Sequence, residues 1–208
     1  MTTVISFTPN RATVLNENDG LYRKKWSVRE CQFLVDSGLL EAGTFELLDG
    51  EIIYKMGQSR EHITTVKRLT VWLSKAFDLE SLQLQAPIGI GQSDEYADPE
   101  PDVAVLRGIV DDYTEKQPVP ATDVLLCAEA SKTTLIGDKT TKAMIYGKHG
   151  VPEYWIVSIE KRELIVHRVP DTENGGYFNV RTYTETETVS PLERPDAVIT
   201  VADLLPKD

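Results

Sequence analysis

Two cysteines in 208 residues, Cys31 and Cys127, are too few for a disulfide framework. Cys127 also lies inside an apolar run, where a reduced, buried thiol is the expected state, so the protein is expected in the cytoplasm. No apolar stretch approaches the length of a membrane span. The start, Met1-Thr-Thr-Val-Ile-Ser-Phe7, lacks the basic and long apolar segments of a signal peptide. There is no low-complexity run, no internal repeat and no linker rich in Gly, Ser or Pro. Positive charge is short as well. The chain carries 22 Lys and Arg against 33 Asp and Glu, a net charge of -11. That balance argues against a protein that coats nucleic acid indiscriminately, which needs a basic footprint.

What is present is an ordinary globular composition, 41% hydrophobic and 26% charged, in a chain long enough for one well-buried domain. We read residues 1–26 as a polar arm and residues 27–208 as that domain. The charge is unevenly placed: residues 89–130 hold ten acids against Arg107 and Lys116, while residues 132–168 hold seven bases against four acids. An acidic pocket facing a mildly basic wall suits a cation-loaded site approached by an anionic substrate. Scattered, solvated surface charge would give the same counts.

Ser27 followed three positions later by Glu30 is a capping box, and predicts a short helix through Val35 that stops near Gly38. Phe45-Glu-Leu-Leu48 and Glu51-Ile-Ile-Tyr54 around Asp49-Gly50 form the strongest hairpin signal. Ser59 can cap a helix in which Ile63, Val66, Leu69, Leu73 and Phe77 recur at helical spacing, leaving Arg60, Lys67, Arg68 and Lys75 mainly on the remaining surface. Residues 82–90 alternate like a strand closed by Gly89 and Gly91. The continuous apolar runs at 103–106 and 124–128 suit strands covered on both faces, with a loop over 107–122 between them. A second long helix is expected from Gly137-Asp138 to about His149. Strands follow at 153–158, 163–168 and 177–183, and the tail at 198–205 reads as an edge element. The order of elements predicts an α/β fold, a central mixed sheet flanked by helices.

Asp102 borders one apolar strand and Glu129 the next. A carboxylate pair placed so is what a hard divalent cation needs, since Mg²⁺ is commonly held by one or two carboxylates, waters and substrate phosphate. The same residues read equally as the start of one strand and the cap of another. Asp138, Lys142 and Tyr146 fall at successive i,i+4 positions of one helical face. A lysine beside a metal can orient a water or stabilise charge developing on phosphorus. An ordinary surface pair with Asp138 would produce the same spacing.

The run Phe45-Glu-Leu-Leu-Asp-Gly-Glu51, a helix containing His62, Pro101-Asp102-Val-Ala-Val, Glu129-Ala-Ser-Lys-Thr-Thr-Leu, Asp138, Lys142, Tyr146 and Gly150-Val-Pro-Glu-Tyr-Trp155 resemble the Uma-type family. Those bacterial proteins are assigned to the PD-(D/E)XK nuclease superfamily, and the resemblance spans about residues 27–169. It implies a restriction-endonuclease-like core and Mg²⁺- or Mn²⁺-dependent hydrolysis of nucleic acid, DNA before RNA. Carried onto this chain, Asp102 and Glu129 are the motif acids. Ser131 stands where the motif lysine is expected, and Lys132 would point to the opposite strand face. The lysine role therefore passes to Lys142. Glu46 and the backbone carbonyl of Ala130 complete the implied metal ligands, and His62 is an accessory group that contacts metal, water or phosphate. Glu46 and His62 also read as structural polar contacts. Tyr146, Tyr154 and Trp155 read as core and site wall, and His149 and His167 as surface groups. Two other readings stay open: a catalytically silent binding module, motivated by Ser131 and the acidic balance, and a structural homodimer, which a nuclease cutting both strands would also form.

Overall fold

Ser27 and Glu30 start the first helix as their spacing implies. The computed structural model describes residues 13–16, 21–90, 96–113, 119–132 and 134–207. In it helix α1 (Val28–Asp36) begins with the Ser27 hydroxyl accepting from the Glu30 N–H, while the Glu30 carboxylate accepts from the Ser27 N–H. The exchange satisfies two donors that a helix start leaves open. Strands β1 (Phe45–Leu48) and β2 (Glu51–Tyr54) make the expected hairpin. Asp49 and Gly50 both take positive φ, 49° and 80°, which gives the turn a twist matching that of the strands. Of the arm, Thr13–Asn16 and Leu21–Arg23 pair as a two-stranded ribbon; residues 1–12 and 17–20 lie outside the described residues.

Helix α2 (Arg60–Ala76) is capped by Ser59, whose hydroxyl accepts from the His62 N–H. Its inner face is Thr65, Leu69 and Leu73, with Val66, Trp72 and Ala76 packed beside them. Ile63, expected there, is 51% exposed. The inward line runs 62, 65, 69, 73, so His62 holds the inner position in the first turn. Strand β3 (Leu82–Leu84) is shorter than the alternation implies. Gln85, at φ 46°, turns the chain out of the sheet, and Ile88–Gly89 pairs instead with Val119–Pro120. Gly91 lies outside the described residues. Strands β4 (Val103–Leu106) and β5 (Val124–Ser131) are buried almost throughout. Between them the loop holds two 3-10 turns, Val110–Asp112 and Ala121–Asp123, and residues 114–118 are outside the described set.

β5 continues past its apolar run, so Glu129, Ala130 and Ser131 sit in the sheet rather than beyond it. Helix α3 then combines Leu135–Gly137, a π turn at Asp138–Lys142 and Ala143–Lys148, starting two residues earlier than expected. Strands β6 (Glu153–Ser158), β7 (Glu163–Pro170) and β8 (Tyr177–Thr184) complete a six-stranded sheet of order β8-β7-β6-β5-β4-β3. Only β5 and β6 run parallel, and α3 supplies the crossover that a parallel pair requires. The expected mixed sheet flanked by helices is the observed architecture. The tail pairs Ile199–Thr200 with Thr188–Val189 away from the main sheet, and a short helix, α4 (Val201–Leu204), brings Val201 and Leu204 into the core.

Alternation divides the interior into two layers. Val103, Val105, Leu126 and Trp155 join Leu69 and Leu73 of α2 in one cluster; Ala104, Cys127, Tyr154 and Ile156 join Ala143 and Tyr146 of α3 in the other. His167, expected at the surface, is 5% exposed and stacks near Tyr154 and Tyr177 in the second layer, where burial holds its imidazole down at about 4. Among the described residues no helix is long and apolar enough to cross a membrane.

Backbones come close at Gly147 on α3, where an added Cβ would stand 1.9 Å from the Gly176 carbonyl oxygen. A backbone neighbour has little freedom to yield, so Gly147→Ala is expected to cost about 3 kcal/mol, read by urea denaturation. A loss within experimental error would mean that α3 and the turn before β8 do not pack this tightly. His167 gives a second expectation. Its pKa is depressed in the fold, so the native state gains nothing from protonation while the unfolded chain does. Stability should fall as pH drops from about 6.5 towards about 4, and His167→Gln should fall less steeply over that window.

Candidate functional site

Four elements deliver charged side chains to one end of the sheet. β5 carries Glu129, β1 carries Glu46, the π turn of α3 carries Lys142, and the start of β4 carries Asp102, which α2 meets through His62. Lys142 is 6% exposed. Its Nζ donates to Glu129 Oε1 at 2.8 Å, to Glu46 Oε1 at 3.3 Å and to the Glu100 carbonyl at 3.2 Å, which occupies all three ammonium hydrogens. Glu46 Oε2 lies 3.0 Å from the same nitrogen but off its hydrogen-bonding directions, and it is buried without a hydrogen-bond partner among the described residues.

Lys142 therefore does not make the surface pair with Asp138 that an i,i+4 spacing suggests. Asp138 is itself buried and accepts from the Thr134 hydroxyl at 2.7 Å, and the Ser131 and Thr134 hydroxyls lie 3.3 Å apart. An inserted residue in a π turn changes which side chains share a face. Lys132 reaches Glu61 at 3.3 Å and takes no part in the Lys142 cluster. Tyr146 is fully buried and packs 4.9 Å from Tyr154, ring to ring; its hydroxyl has no hydrogen-bond partner among the described residues.

Asp102 is held separately. Its Oδ2 accepts from the Ala130 N–H at 2.8 Å and lies 3.1 Å from His62 Nε2, and Gln85 donates to Oδ1 at 3.4 Å. Burial works to raise the Asp102 carboxyl, but the His62 contact and the Ala130 N–H outweigh it and hold it below its usual range. The Asp102 hydrogen bond in turn lifts His62 above the ordinary imidazole value. Around Lys142 the balance differs. Burial opposes its charge, but Glu129, Glu46 and Asp138 overcome that and keep the ammonium protonated. Burial pushes Glu129 well above the carboxylate range even with Lys142 beside it. Partial burial, with Glu100 and Glu46 close by, lifts half-buried Asp98 to about 6. Burial is the main cause of both rises, and the neighbouring acids add to it.

The donor set is all oxygen, which matches a hard cation such as Mg²⁺ or Mn²⁺. Among the described residues no three His, Cys, Asp or Glu side chains form a ready-made cage. The residues fit an ion that keeps waters and takes a few oxygen ligands from the protein. The orphaned Glu46 Oε2 and the lightly engaged Asp102 Oδ1 are the oxygens with capacity to spare. Sequence reasoning singled out Asp102, Glu129, Lys142, Glu46 and His62, and the fold gathers all five. It passed over Gln85, the Glu100 carbonyl and Lys55, which pairs with Glu100. Glu100 lies two residues before Asp102, whereas neither Gln85 nor Lys55 carried a signal. A surface depression of about 330 Å³ lies between Lys24, Trp26, Asp49 and Ile52.

A mixed sheet with α2 and α3 on opposite faces and acids converging on a buried lysine defines a restriction-endonuclease-like protein. Residues 39–202 match the Uma2 family, described as "putative restriction endonuclease", and the chain belongs to that family. A crystal structure described as a "putative nuclease belonging to DUF820", from Anabaena variabilis, shares the fold with a TM-score of 0.60. The match covers 86% of this chain and 96% of that one at 14% identity. Comparison with the curated proteins finds no match.

Lys142→Met removes the cation from a buried cluster and is expected to destabilise the protein by about 3–5 kcal/mol, measured by urea denaturation at neutral pH. Adding Glu129→Gln to that variant should restore most of the loss, because the uncompensated carboxylate goes with it. Additive losses in the double variant would show that the two side chains do not act as a pair.

Proposed function

We propose that this chain is a metal-dependent nuclease that hydrolyses phosphodiester bonds in DNA. The observation that carries the reading is the buried Lys142 ammonium bound to two carboxylates one strand away from Asp102, in a member of a restriction endonuclease family. Asp102 and Glu129, with Glu46 and the Ala130 carbonyl, would hold one Mg²⁺ or Mn²⁺. When bound, the ion lowers the pKa of a coordinated water and offsets charge on the scissile phosphate. The chain's own groups do the rest. His62 and the Ala130 N–H fix Asp102 through Oδ2 and leave Oδ1 turned to the ligand. Lys142 Nζ, on exchanging its longest bond, the one to Glu46 Oε1, presents a hydrogen to the attacking water and holds its oxygen in line. Ser131, Asp138 and Tyr146 support the helix turn that aims Lys142. Residues 27–208 act as one domain in this reading. A cytoplasmic homodimer would supply the two sites that cutting both strands requires.

A silent nucleic-acid or protein binding module is the second reading. It is favoured by the full engagement of the three Lys142 hydrogens within the protein and by Ser131 at the usual lysine position.

Calorimetric titration of Mn²⁺ separates the two. The parent is expected to bind the ion and to nick plasmid DNA when Mg²⁺ or Mn²⁺ is present. Asp102→Ala and Glu129→Gln should lose both properties. Binding of Mn²⁺ by Asp102→Ala as tight as by the parent would overturn the site.

A further inference from the structure

The outer face of α2 departs from the charge character of the rest of the chain. In a protein of net charge -11, this helix carries Arg60, Lys67, Arg68 and Lys75 against Glu61 alone, and Glu61 is already paired with Lys132. At about 100° per residue the four bases fall within an arc of about 100° of the helix circumference. That arc lies opposite the buried Leu69 and Leu73. Arg60, Lys67 and Lys75 are exposed, Arg68 is half-buried, and none of the four forms an ion pair with a described residue. Several bases elsewhere on the surface are matched: Arg23 with Glu51, Lys25 with Asp49, Lys55 with Glu100 and Arg181 with Glu187. A row of unmatched cations on one rigid helix is a place where polyanion charge is missing.

The spacing and the side chains around the row select the polyanion. Arg60, Lys67 and Lys75 stand about 10 and about 12 Å apart along the axis, at about 1.5 Å per residue. Either interval is comparable with the width of the major groove of B-form DNA, about 12 Å from one phosphate strand to the other. A-form RNA presents a deep, narrow major groove instead. Single strands are usually held by aromatic platforms on which bases stack. The exposed positions of α2 hold none, because its one aromatic, Trp72, turns inward to stack on Trp155 with ring centroids 5.7 Å apart. The row starts in the same turn of α2 as His62, which touches Asp102 from the inner face, so the two faces of this turn serve different partners.

We infer that the outer face of α2 is a docking surface for the phosphate backbone of duplex DNA, running along Arg60, Lys67 and Lys75. Its consequence for cleavage rests on the nuclease reading, but the binding itself does not. Contacts of this kind position a duplex without reading its sequence.

The test is fluorescence anisotropy of the full chain with a labelled DNA duplex in EDTA over a series of salt concentrations, comparing the parent with the triple variant Arg60→Gln, Lys67→Gln, Lys75→Gln. Each phosphate contact contributes about 0.9 to the slope of log affinity against log salt, so the slope should shrink by about 2.7, with at least about tenfold weaker binding at low salt. All three positions are exposed, and Mn²⁺ titration of the triple variant should match the parent. Equal slopes and affinities in parent and variant would overturn the inference, as would a parent that binds anionic vesicles or single strands but no duplex. A variant that loses duplex binding although the parent never cuts DNA would leave the docking surface standing and remove the nuclease reading. A variant that cuts and binds as the parent does would have the opposite effect.

Discussion

The structure at the candidate site depends on one buried positive charge. Lys142 lies between Glu129 and Glu46 with its third hydrogen on the Glu100 carbonyl, and so connects α3, β5, the β1–β2 hairpin and the approach to β4. Taking an ammonium and two carboxylates out of water is expensive, and only mutual attraction with good hydrogen-bond geometry offsets the cost. The arrangement is strained in an informative direction. The ammonium stays charged, but Glu129 and Asp98 are still raised, chiefly by burial, and the acids gathered around them add to it. A cluster short of positive charge is suited to receive more of it.

Asp102 shows the complementary arrangement. The Ala130 N–H donates to the Asp102 side chain on the neighbouring strand, and His62 reaches the same oxygen from α2. The two contacts fix one carboxylate oxygen and leave the other with a single long bond from Gln85. Both ends of the site therefore follow the same physical scheme: scaffold groups satisfy part of each carboxylate's capacity and leave a remainder.

Much of this was legible in the sequence because it is local. Ser27 with Glu30, and Asp49-Gly50 between alternating strands, encode caps and turns within four residues. The unbroken apolar runs ending at Leu106 and Ala128 announce strands buried on both faces, and they place Asp102 and Glu129 near each other. What stayed hidden depends on single backbone departures or distant partners. Nothing in residues 82–90 signals that Gln85, a non-glycine residue, takes positive φ and ends β3. Helical spacing put Ile63 inside, although the cap at Ser59 sets a phase that turns His62 inward. Spacing also offered Asp138 as the partner of Lys142, whereas the π turn redirects the lysine to Glu46, 96 residues earlier in the chain. No periodicity reports a contact over that separation.

The central claim is that these oxygens together hold a divalent cation, and anomalous diffraction from crystals grown with Mn²⁺ tests it most directly. The account predicts a manganese peak within coordination distance of Asp102 Oδ1 and a Glu129 oxygen, with the Lys142 ammonium beside it. Crystals grown with Mn²⁺ and a DNA duplex that show no peak there, with Lys142 still bound to Glu129 and Glu46, would contradict it.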